Sequence, residues 1–311
     1  MALSRRSFLV TSSLAAASAL VRPPRLSAGT LQAPAQAPPA TSFRELRGGV
    51  GLFEGRGGTI GYLLTPDALV VVDAQFPDTA KICLEGLRQR SQRRIDALVN
   101  THHHGDHTAG NGVFRDAAAR IVAHARVPEL QKKAAEQQGA AASQVYADTT
   151  FTEAWSLPVG KETVSARYYG PAHTSGDIVV HFEQANVVHM GDLIFNRRHP
   201  VIDRPAGASI QNWATILEKV AAAHTPDTLY IFGHGREGFG ITGTRADLLL
   251  QRDYFTALLD TTRKAVAAGT SKEVFSKLEA LPGFPDHTAL GGRFTLATVL
   301  GIAYDEVTER K

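Results

Sequence analysis

Among 311 residues there is a single cysteine, Cys83. A lone thiol cannot close an internal disulfide, whatever the redox state of its compartment. In the helix expected from Pro77 to Gln92, Cys83 reads as a small buried apolar residue. Net charge is also scarce: 33 basic against 30 acidic side chains leave +3. Four of the arginines, Arg5, Arg6, Arg22 and Arg25, fall within the first 28 residues, which hold no acid. Without those four charges the rest of the chain stands at −1. A near-neutral surface gives no electrostatic basis for binding nucleic acid, so none is expected as a partner. Long apolar runs are lacking too. The stretch Val10 to Val21 falls short of the roughly 20 residues that a bilayer-spanning helix needs, which argues against a stable membrane anchor. Self-comparison finds no internal repeat, and 43% hydrophobic content is enough for a full core in one large domain or two.

What is present at the start is an export pattern. Ser4-Arg5-Arg6-Ser7-Phe8-Leu9 is a twin-arginine sequence leading into that alanine-rich apolar run. Residues 1–28 are expected to be a signal peptide processed after Leu26-Ser27-Ala28, with Ala17-Ser18-Ala19 as a second choice. The implied partner is the twin-arginine export machinery, and the implied destination is the periplasm or the exterior of a bacterium. That route moves folded proteins. Residues 29–42, rich in Ala, Pro and Gln, read as a flexible tether, and residues 43–311 as the folded domain.

Within that domain, glycines from Gly48 to Gly61 punctuate short strands. Leu69 to Val72 is apolar at every position, as in a strand buried on both faces. Further strands are expected at Ile95 to Val99, Arg120 to Ala123, Val164 to Tyr169, Ile178 to Glu183, Asn186 to Met190 and Thr228 to Phe232. Helices are expected from Pro77, from Thr108, at Val127 to Gln138 and Ile210 to Ala223, and from Thr244 onward with a break at Leu281 to Pro285. Strands and helices in two similar halves suggest two sheets face to face with helices outside.

The chemistry concentrates in Thr101-His102-His103-His104-Gly105-Asp106-His107, at the end of the strand from Ile95. In extended backbone, alternation sends His102 and His104 one way and His103 the other. Gly105 then lets the chain turn so that Asp106 and His107 face a neighbouring point. Two imidazoles for one ion, and a carboxylate with an imidazole for a second, is a donor set suited to a zinc pair. His173, Asp192 and His234 each sit at a strand end near glycine, where side chains can converge on one sheet edge. Asp73, at the end of its strand, could orient one of these histidines or simply shape a turn. His124 fits no ligand spacing and reads as structural.

These residues together resemble the metallo-β-lactamase superfamily, over about Phe43 to Leu250. The resemblance implies an α/β fold, a four-layer αββα sandwich with the site at one edge of the sheets. It implies two Zn2+, with iron or manganese as substitutes: His102, His104 and His173 on the first, Asp106, His107 and His234 on the second. Asp192 would bridge them, together with a water or hydroxide that Asp106 and Asp192 position for attack. His103 is left out. Many true β-lactamases of the superfamily carry a cysteine where this chain has Asp192, and Cys83 cannot fill that place. A bridging aspartate is the pattern of relatives that cleave esters, thioesters, lactones and phosphodiesters, and the long insertions of nuclease relatives are not apparent. The expected activity is therefore metal-dependent hydrolysis of a small ester, lactone, thioester or lactam. The alternatives are a β-lactamase proper, an iron-dependent oxidoreductase of the sulfur-compound dioxygenase type, or a periplasmic metal- or cofactor-handling accessory protein with little turnover. The loop holding Asn196, Arg197, Arg198 and His199 could line the substrate pocket, with an arginine on a substrate carboxylate, or be a solvated basic loop.

Overall fold

The all-apolar stretch at Leu69–Val72 lies in the middle of a seven-stranded sheet, and its alternate residues face two different layers. The structure is a computed structural model describing residues 40–138, 144–292 and 294–309. The expected signal peptide and most of the expected tether lie outside those residues. The first sheet runs in the order β1 (Ser42–Arg47), β2 (Val50–Glu54), β3 (Ile60–Thr65), β4 (Ala68–Val72), β5 (Ala97–Val99), β6 (Ile121–His124) and β7 (Thr149–Phe151). The first four strands form an antiparallel meander, and β4 through β7 pair in parallel. Parallel pairing requires crossovers. The first is α1 (Pro77–Arg90), which has Pro at its first turn, where the missing N–H costs nothing.

The short helices α2 (Gly105–Thr108) and α3 (Asn111–Phe114) and then α4 (Arg126–Gln138) complete this half. The second sheet is built from β8 (Ala154–Val159), β9 (Glu162–Tyr168), β10 (Ile178–Phe182), β11 (Val187–His189), β13 (Leu229–Ile231) and β15 (Thr242–Gly243). A two-strand ribbon joins β12 (Phe195–Asn196) to β14 (His234–Gly235). Helices α5 (Ile210–Ala223), α6 (Arg245–Ala267), α7 (Lys272–Phe275) and α8 (Leu296–Glu309) follow in the second half.

Three apolar clusters make the layers explicit. Val70, Val72, Val99 and Val122 of the first sheet meet Val164, Ile178, Val180 and Phe182 of the second. Leu69, Val71 and Leu98 face outward onto Ala80, Cys83 and Leu87 of α1. Burial pushes the Cys83 thiol well up, consistent with an inert core residue. On the far side Val188 and Tyr230 pack on Trp213, Leu217, Phe255, Leu258 and Leu300 from α5, α6 and α8. The four-layer αββα order expected from the sequence is the order found.

Boundaries shifted where tertiary contacts decide them. The helix expected from Thr108 begins at Gly105 and breaks before Asn111. The strand expected from Ile95 begins at Ala97, with Ile95 bridging Ala118 alone. One distant contact matters later. The buried carboxylate of Glu306 in α8 accepts from the backbone N–H groups of Ile210 (2.9 Å) and Gln211 (3.3 Å) at the N-terminus of α5. It also pairs with Arg204 at 3.3 Å. Those N–H groups have no partner inside the helix, so an anion from α8 satisfies them.

Candidate metal centre

The expected donors converge because parallel strands β4 and β5 end at the same edge. Asp73 follows β4 and is fully buried, with φ of 67°, a left-handed conformation uncommon for a residue with a side chain. Its carboxylate is amply compensated. Thr101 donates its backbone N–H to Oδ1 and its hydroxyl to Oδ2, both at 2.7 Å, and His107 Nδ1 lies 2.7 Å from Oδ2. Asp73 thus both holds the turn at Thr101 and orients the His107 ring. Downstream, paired amides of Asn100 and Asn111, at 3.0 and 2.9 Å, pin the two ends of the histidine loop.

The second sheet brings the other donors to the same place. Ile178 N–H donates to Thr101 O at 2.9 Å, tying the two halves together beside the loop. Just before it, Asp177 accepts from Thr174 N–H (2.7 Å) and hydroxyl (2.6 Å), shaping the turn that presents His173. Asp192 lies in the tight turn Gly191–Leu193 after β11. Glycine is required around it: a Cβ on Gly233 would come 2.0 Å from Asp192 Oδ1, and one on Gly58 would come 2.1 Å from the His107 ring.

The resulting donor atoms form two groups that meet at Asp192. His104 Nδ1 lies 3.2 Å from His102 Nε2 and 2.8 Å from His173 Nε2. Asp192 Oδ2 is 3.8 and 3.6 Å from those two Nε2 atoms. In the other group, His234 Nε2 is 3.1 Å from Asp106 Oδ2 and 3.4 Å from Asp192 Oδ2, and His107 Nε2 is 3.0 Å from Asp192 Oδ1. Donors around a tetrahedral zinc stand roughly 3.3 Å apart, from bond lengths near 2 Å, so both groups have the right size to hold an ion.

Proton placement supports the same conclusion. The Thr101 hydroxyl is committed to Asp73, so its oxygen accepts from His102 Nδ1 at 3.1 Å. His173 Nδ1 donates to Val201 O at 2.7 Å, and His104 Nε2 donates to Asp203 Oδ2 at 2.9 Å. Each imidazole is therefore protonated on its outer nitrogen, and three lone pairs point at one another, an arrangement that a cation makes favourable. Likewise His107 gives its Nδ1 proton to Asp73, leaving Nε2 without a donor partner, as is Asp192 Oδ1. Burial, then the neighbouring histidines, hold His102 well below the ordinary histidine range and His173 down to about 4, so both are neutral bases. Burial acts the same way on His107 and His234, but Asp192 and the other carboxylates outweigh it and raise both, His234 to about 9. Asp106 is lowered to about 2: burial opposes this, and His107 and His234 prevail. The donors are imidazole nitrogen and carboxylate oxygen, which suit zinc and also iron or manganese.

A family model described as the metallo-beta-lactamase superfamily matches residues 54–234, more than half of the chain and every one of these donors. The chain belongs to that superfamily. Among curated relatives, a metallo-beta-lactamase type 2 from Bacillus sp. (strain 170) is 25% identical over 177 residues, 57% of this chain and 66% of that protein. The chain thus spans just under two thirds of the length of this Bacillus relative. A probable metallo-hydrolase of Methanocaldococcus jannaschii is 27% identical over 199 residues, covering 61% of this chain and 93% of that one. Of solved structures, a double mutant of the sec-alkyl sulfatase PisA1 superposes with a TM-score of 0.68 at 15% identity, over 86% of this chain and half of that one. A metallo-beta-lactamase from Pontibacter korlensis gives 0.56 at 17% identity, over 69% and 99%. At such identities the structural matches establish the fold.

For a member of this superfamily, three placements were not evident from sequence. Asp203 carries the outer hydrogen bond of His104, ninety-nine positions away, and no local pattern marks it. His103 does not simply point away as alternation suggested. The backbone has left the strand before His104 caps α2, so the buried ring of His103 lies beside His104 and 3.7 Å from the same Asp203 carboxylate. The loop after Asp192 faces elsewhere. Asn196 donates to Phe239 and Gly240 carbonyls, Arg197 pairs with Asp247 at 3.6 Å, and His199 bonds the Tyr254 hydroxyl at 2.8 Å. Arg198 donates to Thr288 Oγ1 and Ala289 O. None of these four is among the described residues lining the cavity of about 670 Å3 above the donors. His124 bonds Thr152 O and stacks on Tyr168, as a structural residue does.

Proposed function

We propose that the protein is a dinuclear zinc hydrolase acting on a small ester, lactone, thioester or lactam. One observation carries the reading: two groups of converging donors share a single buried carboxylate, Asp192, at the floor of an open cavity. His102, His104 and His173 would hold one ion, Asp106, His107 and His234 the other, and Asp192 would span both. Ions held there supply Lewis acidity and a water whose pKa falls from near 16 to roughly 7. The chain's own contribution is orientation. Asp73, Asp203 and the Val201 carbonyl fix three of the rings from behind. Asp106 and Asp192, both on the cavity floor, would orient an attacking water toward a carbonyl lying above them. The two relatives named metallo-beta-lactamase and metallo-hydrolase support a hydrolytic reaction. We further propose export by the twin-arginine route to the periplasm, on the strength of Arg5, Arg6 and the apolar run behind them.

The test is metal analysis of protein recovered through its own export route, followed by assay of that protein against an ester, a lactone, a thioester and a lactam. Two zinc ions per chain with turnover of at least one of the four is the expected result. One iron per chain with no hydrolysis would replace the reading by the oxidoreductase alternative.

A further inference from the structure

The cavity above the donors is polar at its floor and apolar at its walls. The floor is His104, Asp106, Asp192 and His234; the described walls carry Phe76, Val201, Leu290 and Phe294, with Gly57, Gly105 and Gly291 between them. The apolar residues come from three separate segments, and each segment is anchored. Phe76 precedes α1 with the Arg56 guanidinium 4.1 Å from its ring, and Arg56 is itself paired to Asp78 at 2.8 Å. Val201 is fixed through its carbonyl, which accepts from His173. The residues just before Leu290 are tied down by the loop after β12. His199 N–H donates to Thr288 O at 2.8 Å, Thr288 N–H to Arg197 O at 3.2 Å, and Arg198 Nη1 to Ala289 O at 2.9 Å. Arg198, expected as a candidate for a substrate carboxylate, instead fastens an apolar wall.

We propose that the substrate carries a medium-length acyl chain, which packs against Phe76, Val201, Leu290 and Phe294 while its scissile carbonyl lies over Asp106 and Asp192. This rests on the hydrolase reading and specifies its substrate. The volume of about 670 Å3 is in the range of sites that enclose ligands of drug-like size, and it is far more than an acetyl group fills. The apolar side chains line the same cavity as the polar floor, so one molecule can contact both with its apolar group and its reacting bond. Moving one methylene from water onto such a wall is worth up to about fourfold in affinity.

The test uses the zinc-loaded protein and a series of p-nitrophenyl esters, from acetate to decanoate, with a constant leaving group. The expected result is that kcat/KM rises about two- to fourfold per methylene before reaching a plateau. Phe76→Ala and Leu290→Ala should each reduce the decanoate-to-acetate ratio by tenfold or more. Hydrolysis that is independent of chain length would overturn the acyl-chain proposal and leave the hydrolase reading standing. A binding measurement separates the converse case. Octanoate should bind at least tenfold more tightly than acetate by calorimetry, and Leu290→Ala should remove most of that difference. If this preference holds but neither these esters nor a lactone, thioester or lactam is cleaved, the apolar site stands and the hydrolase reading fails. Equal binding of the two acids overturns the proposal independently of turnover.

Discussion

Replacing Asp203 by Asn should loosen metal binding by the three-histidine group without unfolding the protein. Asp203 Oδ2 accepts from His104 Nε2 at 2.9 Å, while Oδ1 accepts from Ala206 N–H at 3.2 Å and caps the turn that follows. An aspartate can serve both donors, because both its oxygens accept. An asparagine has one acceptor oxygen, so it can satisfy His104 or the turn but not both. Burial of this carboxylate is partial, yet the His104 hydrogen bond keeps its pKa below the ordinary range, so the contact is charge-assisted. Hydrogen bonds to charged groups are worth about 1.5–3 kcal/mol, which corresponds to a 10- to 100-fold loss of affinity, the range found for partners behind metal-binding histidines. The assay is competition between the protein and a chromophoric zinc chelator at fixed pH, with a thermal melt of the metal-free protein alongside. Affinity should fall 10- to 100-fold at one of two sites, while the metal-free Tm moves by no more than a few degrees. An unchanged affinity at both sites would show that His104 needs no anion behind it, and the argument from proton placement would fail with it.

Other consequences can be checked directly. Asp192→Ala should lower occupancy of the second ion while circular dichroism stays native, because Asp192 projects from a turn rather than the core; a variant retaining two zincs and full turnover would show that it is not a ligand. Gly58→Ala places a carbon 2.1 Å from the His107 ring and should displace that donor, read as loss of about one metal equivalent by mass spectrometry; two bound zincs would refute it. Changing Arg5 and Arg6 together to Lys should leave full-length precursor in the cytoplasm on fractionation, and unchanged periplasmic recovery would refute folded export. A carboxylate shared between the ions leaves less Lewis acidity for a departing lactam nitrogen than a thiolate on one ion does. The kcat/KM for a penicillin and a carbapenem should therefore fall below that for a medium-chain ester, and the reverse order would refute this role for Asp192.

The fold was legible where burial alone determines the pattern. Leu69 to Val72 reads as a doubly buried strand because every residue is apolar, and in the structure alternate residues do enter two cores. The donors were legible because each stands beside a glycine or a tight turn at a strand end, and Gly58, Gly191 and Gly233 turn out to be required by close approach. Alternation describes His102 to His104 incompletely, since the chain is already turning at His103 and both later rings lean on Asp203. Asp203 itself was not legible: its meaning comes from a contact across 99 positions. The same holds for Arg198, whose charge suggested a ligand while its hydrogen bonds are to backbone and hydroxyl oxygens of the wall.

The bond from Glu306 to the start of α5 and to Arg204 has a consequence for timing. Arg204 adjoins Asp203, so the support behind His104 is braced by α8, about two hundred residues downstream of the histidine loop. During synthesis, four of the donors emerge together at His102, His104, Asp106 and His107, and His234 follows 127 positions after His107. Until α8 docks, the Asp203 support behind His104 lacks that brace, whereas His102 and His107 already have Thr101 and Asp73, which precede them in the chain. Among the four donors of the histidine loop, His104 is therefore the one whose support is completed last, once both halves have closed.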